Sequence, residues 1–191
     1  MKTEQYWEQR YARGGNSGDG SYGDLALFKA QVINDYIKKL NIVSMNDWGF
    51  GDCNQLQYFP DIDYVGYEVS QTAIKNAQKR YPNKIFRQIK EHSNQKKELS
   101  ISLDVLYHLI ENELYYEYLN NLFNSATRLV IIYSSNYQEQ PKGHQYRRNF
   151  TPDIEKLHPE WQLTETILNK YPYKLTTGKG SHCNFYIYQP K

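Results

Sequence analysis

Cysteine is scarce in this sequence, and long apolar runs are absent. Cys53 and Cys183 are the only cysteines among 191 residues, too few for a disulfide framework or for the ligand spacing of a metal site. No apolar run approaches the ~20 residues of a membrane-spanning helix. The first seven residues, MKTEQYW, lack the apolar stretch of a signal peptide. These absences predict a cytoplasmic protein with no membrane partner, no disulfide and no metal.

An excess of charge of one sign is absent too. The chain has 23 basic and 21 acidic residues and a formal net charge of +2, whereas a nucleic-acid-binding domain concentrates basic residues on one face. We therefore expect no nucleic-acid partner. A length of 191 residues suffices for one domain with a core and is short for two. We predict a single domain over residues 1–191, and the sequence does not indicate its oligomeric state.

Strand and helix patterns alternate along the chain. A glycine-rich loop at 14–23 precedes an apolar helical stripe over 25–36. Ser70 is placed to cap a second helix, and Thr151 is placed to cap a later helix that has Pro152 at its first position. A further stripe over 114–123 predicts a helix between these two. Strands are predicted at 42–48, 63–69, 84–89, 100–106, 128–134, 163–169 and 184–188.

This alternation predicts an α/β fold: a three-layer sandwich around a mostly parallel seven-stranded sheet. The last two strands have no helix pattern between them. They are predicted as an antiparallel hairpin at one sheet edge, which makes the terminal strand antiparallel. The polar stretch 91–98 is predicted as loop or short helix.

A glycine-rich turn, Asp47-Trp48-Gly49-Phe50-Gly51-Asp52-Cys53, follows the first strand. Ligands of open α/β sheets bind outside the carboxyl ends of the strands, and Gly49 and Gly51 permit a tight turn with close backbone approach. A pyrophosphate would bind at the helix N-terminus here, but Asp47 and Asp52 would repel it. The two carboxylates favour a ligand that carries an ammonium and a sulfonium.

Glu68 ends the second strand, about 20 residues after the turn. An acidic residue at this spacing accepts hydrogen bonds from ribose hydroxyls. Together with the turn, it indicates a ligand that contains adenosine. The alternative is that Gly49 and Gly51 only shape a turn and that Glu68 is a surface carboxylate.

The segments 46–52, 64–70 and 103–111 resemble three motifs of class I S-adenosylmethionine-dependent methyltransferases of the small bacterial type. Tyr6-Trp7-x-x-Arg10-Tyr11, with the glycine-rich loop behind it, is similar to their N-terminal lid. The resemblance covers nearly the whole chain and specifies the superfamily, not the substrate. It implies a Rossmann-like methyltransferase fold with a lid and helix over 1–41, a core over 42–191, and S-adenosylmethionine as the cofactor.

The resemblance also implies roles for individual residues. Glu68, followed by Val69, would bind the ribose, and Asp104 would lie beside the methyl donor. The residues along and over the methionine part of the cofactor would be Asp47, Gly49, Gly51, Tyr11 and Gly14.

Two positions depart from the family pattern. Cys53 replaces the third glycine of the turn, which would bring a side chain near the cofactor. After the third strand, only Lys90 and Glu91 are found where many members have an acidic residue facing the adenine amine. The adenine contacts are therefore open.

The fourth-strand segment also carries the candidate catalytic residues. His108 is the first candidate for a general base, because an imidazole titrates near neutrality. Tyr107 is the second, and Asp104 the third. The alternative for His108 is a hydrogen-bonded structural histidine.

Candidate acceptor-binding residues follow the fifth strand. His144, Arg147 and Arg148 lie in a polar stretch on the ligand side of such a sheet, and guanidinium groups suit carboxylates and phosphates. They predict a small anionic acceptor, phosphorylated or sugar-linked, methylated on oxygen or nitrogen. The alternative is a solvated basic loop. Tyrosines interleaved with basic residues over 137–150 could also stack on bases.

The favoured function is therefore a small-molecule methyltransferase. Two alternatives are a protein that binds S-adenosylmethionine without catalysis and a methyltransferase that acts on a macromolecule. A nicotinamide-dependent enzyme is disfavoured by the acidic turn and the terminal hairpin.

Overall fold

The computed structural model of the chain describes residues 1–91 and 95–191. Part of the stretch predicted as loop or short helix, residues 92–94, lies outside the described residues. The described part of the chain contains the helices α1 Thr3–Ala12, α2 Gly23–Leu40, α3 Gln71–Arg80, α4 Asn112–Asn124 and α5 Thr151–Leu157. Its strands are β1 Ser44–Trp48, β2 Asp63–Glu68, β3 Ile85–Gln88, β4 Lys97–Leu103, β5 Ala126–Ser134, β6 Trp161–Ile167 and β7 Asn184–Pro190.

All seven strands form one sheet in the order β3-β2-β1-β4-β5-β7-β6. The strands β1 to β5 are parallel to one another, and β7 is antiparallel to both β5 and β6. The predicted α/β fold with an antiparallel terminal strand is confirmed. The predicted antiparallel hairpin of the last two strands at one sheet edge is confirmed as well: β7 inserts between β5 and β6, and β6 is the outermost strand.

Two apolar clusters cover the two faces of the sheet. On one face, Val32 and Ile33 of α2 belong to the same cluster as Met45 of β1 and Leu99 of β4. On the other, the α4 side chains of Tyr115 and Leu119 belong with Trp48 and Val130. Strand side chains point alternately to the two faces, so both faces of the central strands are buried and the sheet lies between two helical layers.

Short-range signals account for several element boundaries. Ser70 caps α3 as predicted, since its Oγ accepts the Ala73 N–H at 3.1 Å. The prediction of Thr151 as an N-cap is wrong by one residue: Phe150 occupies that position. Asn136 Oδ1 accepts the N–H groups of Phe150 and Thr151 at 2.8 and 3.4 Å, so a distant side chain supplies the cap.

Strand β4 begins and ends three residues before the predicted 100–106. Its end is set by Asp104, which has a left-handed φ of 60°, a backbone conformation that a strand cannot continue. Chain connections leave β1 toward β2 on one side and reach β4 on the other. The carboxyl ends of β1 and β4 therefore flank the topological switch point, where open α/β sheets bind ligands.

No helix in the described ranges is long and apolar enough to cross a membrane. Within the same ranges, no group of three or more histidine, cysteine or acidic side chains is arranged to hold a metal ion.

Candidate functional site

A cleft of about 700 Å³, counting the part open to solvent, lies at the carboxyl ends of β1, β2 and β4. Helix α1 and the loop 13–22, together called the lid below, form part of its wall. Of the residues predicted to bind cofactor or to catalyse, those that line the cleft are Tyr11, Asp47, Gly49, Gly51, Glu68, Val69, Asp104 and His108.

The turn after β1 requires glycine at two positions. Gly49 and Gly51 have φ angles of 80° and 63°, the left-handed region that favours glycine. A Cβ on Gly49 would lie 2.5 Å from Val105 Cγ2, and a Cβ on Gly51 would overlap Ser17 Oγ of the lid. The turn thus lies directly under two other segments of the cleft.

Cys53 adopts the same left-handed conformation with a φ of 60°. Glycine favours this conformation, and Cys53 occupies the position at which the sequence resemblance has the third glycine of the turn. The thiol packs into the apolar cluster under α2 and is not part of the cleft lining. The expectation of a side chain near the cofactor at this position stays a prediction.

Asp47 is buried at the end of β1, with 3% of its surface exposed. Tyr64 Oη donates a hydrogen bond to its Oδ2 at 2.9 Å. Burial raises the pKa of Asp47 to about 7; Tyr64 and the Lys29 ammonium lower it, and Glu68 raises it further. The cleft therefore presents a carboxyl group whose ionisation a bound cation would favour.

Glu68 is buried at the end of β2. Its Oε1 accepts the N–H groups of Val69 and Ser70 at 2.7 and 3.2 Å, and its Oε2 accepts the Gly51 N–H at 3.0 Å. Burial raises the pKa of this carboxyl, and the three backbone donors lower it. Glu68 joins the turn to the second strand and still lines the cleft.

Asp104 forms the third carboxylate of the cleft. Lys29 Nζ of α2 lies 2.6 Å from its Oδ2, and Tyr107 Oη donates to its Oδ1 at 3.0 Å. Tyr107 holds Asp104 from outside the cleft, since it does not line it. Lys29 does line the cleft, but its sequence context gave no sign of this, because a lysine on an amphipathic helix has the same pattern as an ordinary solvated residue.

The lid contacts the glycine turn through Asp52. Its Oδ2 accepts the Ser17 N–H at 2.9 Å and the Tyr22 hydroxyl at 2.6 Å. Ser17 Oγ in turn accepts the Asp52 N–H at 2.9 Å and lies 3.1 Å from Tyr11 Oη. Gly14, predicted to close over the ligand, lies outside the cleft lining and has a φ of 78° that lets the chain turn after α1.

Both halves of α1 are tied to the core. Thr3 Oγ1 donates to Glu111 Oε2 at 2.6 Å, beside the start of α4. Glu8 Oε2 accepts the Ser70 hydroxyl at 2.7 Å, beside the start of α3. The helix therefore bridges two core helices across the cleft.

His108 lines the cleft under an aromatic stack. Its ring lies 5.0 Å from that of His144, nearly parallel, and His144 stacks on Tyr6 at 4.2 Å. Burial lowers the pKa of His108 to about 4, and the hydrogen bond with the His144 carbonyl opposes this shift. The prediction that His108 titrates near neutrality is therefore wrong, because the sequence does not show how deeply the ring is buried.

Neither predicted arginine lines the cleft. Arg147 pairs with Glu139 at 2.6 Å. Arg148 lies 3.8 Å from the ring centroid of Tyr146 and 4.5 Å from that of Tyr115. Of the three predicted acceptor-binding residues, only His144 approaches the cleft, through His108.

The sequence matches no family model and no curated protein, but solved structures are similar throughout. The N-methyltransferase NodS from Bradyrhizobium japonicum WM9, in complex with S-adenosyl-L-homocysteine, matches with a TM-score of 0.71 and 12% identity, over 100% of this chain and 99% of that one. Magnesium protoporphyrin IX methyltransferase from Synechocystis PCC 6803, with bound SAH, matches with a TM-score of 0.68 and 14% identity, over 98% of each chain. An S-adenosylmethionine-dependent methyltransferase from Clostridium acetobutylicum ATCC 824 matches at 0.61 and 13%, over 84% of this chain and 90% of that one. The fold is that of the class I S-adenosylmethionine-dependent methyltransferases.

Proposed function

We propose that the protein is an S-adenosylmethionine-dependent methyltransferase that acts on oxygen or nitrogen of a small acceptor. One observation carries the proposal. Asp47 and Glu68, at the ends of adjacent strands, are both buried and both line a cleft that also contains the Gly49–Gly51 turn. Buried carboxylates without a full set of charged partners are costly, and a cationic adenosine ligand would use both.

The groups of the cleft fit this cofactor. Glu68 is positioned for the ribose hydroxyls, and Asp47 for the positive charges of the methionine part. The apolar side chains of Val69, Ile89 and Leu109 line the cleft and offer a surface for the adenine ring.

The bound cofactor would supply a methyl group already activated by positive sulfur. The protein then has to orient the acceptor in line and exclude water. The lid would exclude water from the cleft. Neutral His108 is a weak base, and this favours an acceptor nitrogen that is unprotonated before transfer over an alcohol that must lose its proton.

A small acceptor is favoured because Trp7 and Tyr11 of the lid, together with His108, line the cleft and take up part of its opening. The anionic character of the acceptor stays a prediction. Arg147 would have to leave Glu139, and Arg148 its two tyrosine rings, before either could bind a phosphate or a carboxylate.

Calorimetry tests the proposal with two ligands. We expect S-adenosylhomocysteine to bind with a micromolar Kd and NAD not to bind, since pyrophosphate meets Asp47 and Asp52. Binding of NAD alone would refute the proposal. Release of S-adenosylhomocysteine from S-adenosylmethionine during a screen of small amines and alcohols would then separate an enzyme from a non-catalytic binder.

A further inference from the structure

Lys29 has an incomplete set of hydrogen-bond partners. Its side chain is 1% exposed and lines the cleft. An ammonium has three N–H donors. In the described part of the chain, Lys29 Nζ donates to Asp104 Oδ2 and otherwise lies over the Tyr133 ring at 5.4 Å. A buried ammonium with unused donors is costly unless a ligand accepts from it.

Gln55 has an unused hydrogen-bond acceptor, whereas Lys29 has unused donors. Its Nε2 donates to the Ala26 carbonyl of α2 at 2.9 Å, whereas its Oε1 is buried and accepts no hydrogen bond from the described residues. Gln55 also lines the cleft, with 7% of its surface exposed. Lys29 belongs to α2, and Gln55 is bonded to the backbone of α2. An unused acceptor and unused donors therefore occur in the same cleft.

The cleft contains more acidic side chains than basic ones. Asp47, Glu68 and Asp104 contribute carboxyl groups, and Lys29 is the single lysine or arginine that lines the cleft among the described residues. An anionic group that enters the cleft would meet one charged partner, Lys29.

We propose that Lys29 and Gln55 bind the α-amino-acid end of the ligand, with Lys29 donating to its carboxylate and Gln55 Oε1 accepting from its ammonium. This inference rests on the proposed function, because that end is the methionine part of the cofactor. Asp104 and the ligand carboxylate then both accept hydrogen bonds from the Lys29 ammonium. Helix α2 thus binds the amino-acid end of the cofactor, while Glu68 binds the ribose.

Calorimetry with a matched pair of ligands tests the proposal without relying on activity. S-adenosylhomocysteine carries the amino-acid end, and 5′-methylthioadenosine lacks it. Lys29→Met should weaken S-adenosylhomocysteine binding about tenfold or more, as expected for a hydrogen bond to a charged group, and leave 5′-methylthioadenosine binding within about twofold. Gln55→Leu should act in the same direction with a smaller effect.

Two exposed residues on the same elements provide controls. Lys38→Met on α2 and Gln57→Leu beside Gln55 should change neither affinity, since both side chains are exposed. Lys29→Arg provides a second test in case Lys29→Met fails to fold. Because it keeps the positive charge, it should retain the preference for S-adenosylhomocysteine over 5′-methylthioadenosine. Equal losses for the two ligands, or an unchanged Kd for S-adenosylhomocysteine in Lys29→Met, would overturn the inference and leave the proposed function standing. Failure of the wild-type protein to bind either ligand would instead refute the proposed function.

Discussion

Tyr64 on β2 donates a hydrogen bond to Asp47 Oδ2 on the neighbouring strand β1, at 2.9 Å and in the protein interior. The bond favours the ionised carboxyl, but burial outweighs it, so the pKa of Asp47 is about 7. A site carboxyl that titrates at neutral pH links ligand binding to protons. The ionisation of Asp47 should therefore make the affinity for the proposed cofactor depend on pH.

Binding of S-adenosylmethionine should strengthen as the pH rises. A cation favours ionised Asp47, so affinity is lost as the pH falls through about 7. With a pKa near 7, the ionised fraction of Asp47 rises about tenfold between pH 6 and 8, so the Kd should fall by up to roughly tenfold over this range. Calorimetry across this range measures it. Asp47→Asn should bind more weakly at pH 8 and show no such dependence, and Tyr64→Phe should shift the dependence to higher pH. A Kd of the wild type that stays constant from pH 6 to 8 would contradict this role for Asp47.

His108 should contribute to acid unfolding. Its pKa is lowered from 6.5 to about 4 in the folded protein, so the neutral ring is favoured by folding. The stability that it contributes is present above pH 6.5 and is lost as the pH falls from 6.5 toward 4. His108→Gln should flatten the fall in the free energy of unfolding over this window, measured by urea titration. Burial also lowers the pKa of His144 and His158, so part of the fall should persist. An unchanged slope would show that His108 takes up its proton over the same pH range in the folded and unfolded states, and would contradict the lowered pKa.

At Cys53, the alanine and glycine variants should not follow the usual order of stability, in which alanine is the more stable. Its φ of 60° costs a residue with a Cβ about 1–2 kcal/mol, which glycine avoids. Cys53→Gly should therefore be at least as stable as Cys53→Ala, although it removes more of the side chain. Cys183 is also buried but lies outside the left-handed region, and there glycine should be less stable than alanine by about 1 kcal/mol. Thermal unfolding of the four variants checks this, and the same order at both sites would argue against strain at Cys53.

Alanine substitutions at Arg147 and Arg148 should differ in their effects on the free energy of unfolding. Arg148 lies between the rings of Tyr146 and Tyr115, so Arg148→Ala should cost about 1–2 kcal/mol of unfolding free energy. Arg147 forms an ion pair with half-exposed Glu139, worth about 0–1 kcal/mol, and Arg147→Ala should be nearly neutral. If Arg147 binds an anionic acceptor, its alanine variant should raise the acceptor KM and leave the cofactor Kd unchanged. Equal effects on KM and Kd would remove the case for an anion site.

Local sequence signals predicted the fold well. The alternation of patterns indicated the seven strands, and the cap at Ser70 was correct because its hydrogen bond spans only three residues. Errors arose where a boundary depends on distant residues. Thr151 was misplaced because the capping oxygen of α5 belongs to Asn136, which no local pattern contains.

The same distinction holds in the site. Asp47, Gly49, Gly51 and Glu68 were predictable because they occur in short motifs at strand ends. Lys29 was not, since the residue that reveals its role, Asp104, lies 75 positions away. Physical contact between α2 and the end of β4 is what turns an ordinary surface lysine into part of the cleft.

The hydrogen bonds of Asp52 also bear on how fast a ligand can enter and leave. One carboxylate at the rim of the turn accepts from Ser17 and Tyr22 of the loop over the cleft. Releasing that loop breaks a few hydrogen bonds near solvent and leaves both helical layers intact. Exchange of spent cofactor for fresh would thus be a local opening event on the microsecond-to-millisecond scale of loop motions, and its rate, which stopped-flow mixing can follow through Trp7, would set an upper limit on turnover.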